Sequence, residues 1–113
     1  MPTIDELYDE ADKLKDEGKL DEAIAKLQEV LGQDDAYSLA HSALGVLFGK
    51  VGKHEEAVQH AQRVCELEPN DAFSFTALSV ILQRAFAGTN NSQFVQLAED
   101  AMARSQTLQS GGG

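Results

Sequence analysis

The side chains in this sequence that could act as bases, nucleophiles or metal ligands are His41, Ser42, His54, His60 and one cysteine, Cys65. A serine attacks a substrate only with a base in hydrogen-bond reach, and a metal needs its ligands gathered on one face. His41 and Ser42 are neighbours in sequence, so on a helix their side chains diverge by about 100° and cannot pair without a group from elsewhere. His54, His60 and Cys65 are separated by six and five positions, whereas residues three or four apart share a helical face. Glycine-rich phosphate loops, paired-histidine metalloprotease motifs, zinc-type cysteine pairs and nucleophile elbows are all missing. The expectation is therefore no enzyme, no cofactor and no metal. His41 is expected to be half-buried in helix packing, His54 and His60 structural or solvent-facing, and Cys65 a small buried apolar group.

Composition narrows the partners. The 113 residues, 42% hydrophobic and 25% charged, fit one small globular domain, neither disordered nor membrane-embedded. No run approaches the roughly 18 apolar residues of a membrane span, and the start lacks the pattern of a signal peptide. A lone cysteine suits a reducing compartment, so a cytoplasmic protein is expected. Net charge is −10, which repels phosphate backbones and anionic bilayers, so neither nucleic acid nor membrane is expected as a partner. The acid is concentrated: residues 1–35 hold twelve carboxylates and four lysines, and residues 36–113 hold seven carboxylates and five cations. That end reads first as a solvated face and second as an electrostatic docking surface.

Helices must position these groups, because prolines occur only at 2 and 69 and no long run alternates at period two. Thr3 with Glu6 forms a capping box that opens a helix to about Glu17, and Gly18 ends it. Further helices are expected at about 20–31, 36–51, 54–67, from a cap at Asn70 or Asp71 to about Ala87 with a stop at Gly88, and from Asn90 or Asn91 to about Thr107. Residues 109–113 read as a flexible glycine-rich tail of the kind found in laboratory linkers.

The six helices repeat with a period of 34 residues. Leu7 superposes on His41 and Phe75, Ala11 on Gly45 and Ser79, Leu14 on Phe48 and Leu82, Gly18 on Gly52, Ala23 on Ala57, and Val30 on Val64. The repeats span 4–37, 38–71 and 72–108, in one domain covering 1–108. With Leu44-Gly45, Phe48, Gly52, Ala57 and Pro69 in its middle copy, the chain resembles the tetratricopeptide repeat family. The first copy has Asp35 where the closing proline belongs, and the third carries three extra residues around 86–90. The resemblance implies an all-α, right-handed α-solenoid of three helix-turn-helix units, six helices in all. In such a stack the small residues let backbones approach while Leu14, Phe48 and Leu82 fill the layer between.

The resemblance further implies a concave groove lined by the first helix of each unit. Its positions correspond to Asp5, Tyr8, Asp12, Lys15 and Asp16, then Leu39, Ser42, Val46, Gly49 and Lys50, then Phe73, Thr76, Val80, Gln83 and Arg84. The cationic clamp with which co-chaperone members grip acidic tails is missing, since Tyr8, Asp12, Leu39, Ala43, Phe73 and Ala77 stand where it would be. Leu39, Val46, Phe73 and Val80, with Tyr8 beside them, make an apolar patch. In the run Val80-Ile81-Leu82 only Leu82 is needed between helices, so Val80 and Ile81 are expected to be partly exposed. The functional expectation is a protein interaction module whose partner is a protein or peptide segment with apolar anchors, and with basic residues toward the acidic first repeat. The alternative is a self-assembling or engineered scaffold that uses the same patch as a homo-oligomer or designed interface.

Overall fold

Thr3 begins the first helix as its sequence requires. The Thr3 hydroxyl accepts from the Glu6 amide at 3.1 Å while the Glu6 carboxylate accepts from the Thr3 amide at 3.1 Å, so two otherwise free N–H groups are satisfied. The computed structural model describes residues 1–111. Among them are six helices and no strand: α1 (Ile4–Asp16), α2 (Leu20–Gln33), α3 (Ser38–Lys50), α4 (His54–Leu67), α5 (Ala72–Thr89) and α6 (Gln93–Gln109). Gly18 and Gly52 follow α1 and α3 with φ of +79° and +83°, a left-handed conformation that a β-carbon would strain.

Five boundaries differ from those read in the sequence. Helix α2 runs on to Gln33, and α3 starts at Ser38 rather than Ala36, because the Asp34 carboxylate accepts from the Ala36 amide and holds residues 34–36 in a turn. Gly88 does not stop α5. The chain stays helical to Thr89, and Asn90 takes the left-handed position at φ 63°. A β-carbon on Gly88 would lie 2.2 Å from Nε2 of His54, so this glycine serves a close approach of α4 to α5. Helix α6 begins at Gln93, whose amide is taken by the Asn91 side chain, and it absorbs Gln109 from the expected tail. Ser110 and Gly111 form a turn, and the tail positions 112 and 113 lie outside the described residues.

Each helix packs on the next in chain order, and α3 also meets α5. The result measures 43 × 32 × 20 Å. Its radius of gyration of 14.5 Å exceeds the roughly 13 Å expected of a sphere-like domain this long, as successive packing implies. The core runs through all six helices and includes Leu7, Leu27, Val30, Leu44, Phe48, Ala57, Leu78, Leu82 and Phe94. Each large side chain buried there contributes about 1.5–3 kcal/mol. Ala11, Ala23, Ala57 and Ser79 are all buried at their expected contact positions. Ile81 departs from expectation: it is buried, because Gly45 has no side chain and the Ile81 Cδ1 methyl lies 3.2 Å from where one would start.

Candidate binding groove

Three adjoining hollows share one side of α3. The first, about 290 Å³, lies between α1 and α3 and is lined by Tyr8, Asp12, Lys15, Leu39, Ser42, Ala43 and Val46. The second, about 360 Å³, lies toward α5 and is lined by Leu39, Ser42, Val46, Phe73, Ala77 and Ile81, with Glu68 and Asp71 also among its walls. The third, about 340 Å³, is lined by Gly45, Val46, Gly49, Lys50, His54, Ile81 and Arg84. Val46 borders all three, so they form one continuous depression.

Of the site residues expected from sequence, Tyr8, Asp12, Leu39, Ser42, Val46, Phe73 and Arg84 line this depression. Its middle is open and carries large apolar side chains: Leu39 is 54%, Val46 41% and Phe73 79% exposed, whereas Val80, 37% exposed on the same helix as Phe73, is not among the walls of the three hollows. These four account for most of the large exposed hydrophobic side chains within the described residues. Thr76 and Gln83 are not among the walls of the three hollows either. The Thr76 hydroxyl is 2.6 Å from that of Ser105 on α6, and the Gln83 amide donates to Ser79, whose hydroxyl donates to the Ala98 carbonyl on α6. Thr76 is thus engaged at the α5–α6 contact, while Gln83 is exposed and bonds along its own helix.

The acidic end is partly neutralised. The Lys15 ammonium lies 3.0 Å from Asp12 and 3.8 Å from Asp16, and its bond to Asp12 holds its pKa above the ordinary value. Burial, with Asp12 nearby, pushes the Tyr8 phenol up, so it stays a neutral hydroxyl at the mouth of the first hollow. Tyr8 also meets Tyr37 edge to face, with ring centroids 5.9 Å apart.

Sequence spacing did not reveal the pairing of His41 with His60. Their Nδ1 atoms are 2.9 Å apart across α3 and α4, and Nε2 of His41 is 2.8 Å from the Asp35 carbonyl oxygen. A carbonyl only accepts, so with neutral rings we assign the His41 proton to Nε2, leaving its Nδ1 to accept from Nδ1–H of His60. The His60 ring stacks on Phe48 at 5.5 Å, and burial followed by the neighbouring His41 lowers its pKa, against a smaller opposing effect of Glu56. His54 stands apart over Gly88, and the Cys65 thiol is buried and donates to the Ser74 carbonyl. Among the described residues no three His, Cys, Asp or Glu side chains converge as a metal site, and no helix is long and apolar enough to cross a membrane.

No protein-family model and no curated protein matches the sequence.

Proposed function

We propose that the six helices are three tetratricopeptide-type hairpins stacked as a solenoid, and that the depression along α3 is a docking groove for a segment of a protein partner. The 34-residue superposition and the in-order packing of the helices support the architecture. The observation that carries the function is the exposure of Leu39, Val46 and Phe73 around connected hollows. Apolar side chains from a partner would displace water from this surface and provide the affinity. Asp12 is already paired with Lys15, so basic partner residues at that end would compete for an occupied carboxylate and contribute less. This reading assigns the protein no catalytic step and no cofactor.

Val46→Asp tests it against Leu44→Asp. Val46 is open to water, so an aspartate there is expected to change stability by no more than about 0.5 kcal/mol. A docked apolar segment would have to desolvate that charge, and binding is expected to fall at least about a hundredfold. Leu44 is fully buried, and a carboxylate there is expected to unfold the chain. Thermal melts, titration with display-selected peptides and light scattering distinguish the outcomes. Equal destabilisation by both variants removes the groove, and a dimer dispersed by Val46→Asp assigns the patch to self-association.

A further inference from the structure

The third hollow differs from the other two in charge. Lys50, from the last turn of α3, and Arg84, from α5, line the same hollow, and both are exposed. Lys15, Lys19, Lys26 and Arg63 each lie within 4 Å of a carboxylate, whereas within the described residues Lys13, Lys50, Lys53, Arg84 and Arg104 form no ion pair, and of these Lys50 and Arg84 share a hollow. Two unpaired cations facing one cavity are notable in a chain of net charge −10. The first turn of α4 borders the hollow through His54, and its N-cap, Lys53, has no acceptor atom in its side chain with which to cap the free amides of that turn. Glu55 and Glu56 belong to the same turn but are not among the walls. Gly49 keeps the floor low, its missing β-carbon having only the Ala57 Cβ nearby at 4.0 Å, whereas the space over Gly45 is taken by the Ile81 methyl.

This hollow is continuous with the apolar part of the groove through Val46 and Ile81. We infer that the partner segment carries an aspartate or glutamate side chain that docks between Lys50 and Arg84, next to an apolar anchor seated over Val46. The inference rests on the groove reading proposed above. Val46 and Lys50 are one helical turn apart, about 6 Å along the axis, and an extended segment covers that distance in about two residues. The recognised pattern is therefore an apolar residue with an acidic residue about two positions away. Arg84 can bind the carboxylate through two parallel N–H groups, and Lys50 supplies a mobile point charge.

A random short-peptide display library panned on the full chain tests the pattern, with fluorescence anisotropy of the enriched peptides as readout. Enrichment of apolar peptides with Asp or Glu at the stated spacing is expected. The paired substitution Lys50→Glu and Arg84→Glu is expected to weaken these peptides about tenfold or more without altering the thermal melt. Replacing the peptide's acid by its amide should weaken binding to the original chain to a similar degree, with little further effect on the charge-reversed variant. Peptides that lose binding in Val46→Asp but bind the charge-reversed variant undiminished would overturn the acidic subsite and leave the groove standing. A complete lack of Val46-dependent binding would overturn both.

Discussion

Lowering the pH from 7 to 5 is expected to destabilise the protein through His60. The ring is half-buried, stacked on Phe48 and bonded at Nδ1 to His41, and its pKa is depressed from the ordinary 6.5. The folded state therefore resists a proton that the unfolded chain takes up below about pH 6.5, so stability is retained above that value and lost as pH falls. At pH 5 a proton refused outright would cost at most about 2 kcal/mol. Because the ring is only half-buried, solvent screening reduces this to about 1 kcal/mol. For a chain of this length that is a loss of about 4 °C in Tm. The groups around His60 are the Phe48 ring and His41 on α3 and the Glu56 carboxylate on its own helix, which opposes the shift. The assay compares thermal melts of the original chain and His60→Gln at pH 7 and pH 5. Glutamine can still donate to His41 but does not titrate, and the relief of repulsion as carboxylates protonate is common to both proteins. If the two lose the same Tm, the imidazole pair is not an acid-labile element and the reasoning from its geometry is wrong.

Two further outcomes follow from packing. Removing residues 92–113 takes away Phe94, Ala98 and Ala101 and uncovers Leu78 and Leu82 on α5, so loss of cooperative unfolding or of solubility is expected; a soluble fragment with one sharp transition would contradict the successive packing. The Cys65 thiol, pushed up to about 11 chiefly by burial and then by Asp71 and Glu66, should be thiolate in only about one molecule in a thousand at pH 8. A disulfide reagent should thus modify it slowly in the folded chain and rapidly in denaturant, and equal rates would show the site to be open.

The sequence by itself determined the helices and their number. A helix is a local structure, and its signals, such as the Thr3–Glu6 box, Gly18 and Gly52, and the spacing of Leu7, Ala11 and Leu14, lie within a few residues of what they control. Much of the candidate groove was legible for a related reason: a face is defined by helical spacing, so Leu39, Ser42 and Val46 fall together once α3 is placed. The 34-residue period then aligned α3 with α1 and α5.

Tertiary structure decided what depends on approach between helices. Spacing alone put Ile81 at the surface, but the gap left by Gly45 on another helix draws it inside. Thr76 is held by Ser105, and so by how α6 lies on α5. Gly88 read as a stop because its neighbour His54, 34 positions earlier, is invisible along the chain. Lys50 and Arg84, one 34-residue period apart, already fell at equivalent groove positions in the sequence, whereas His41 and His60 are 19 residues apart and no local rule brings them together. Contacts of that kind depend on the distance and rotation between packed helices, which many side chains set jointly, whereas a helix boundary depends on a few neighbours in sequence.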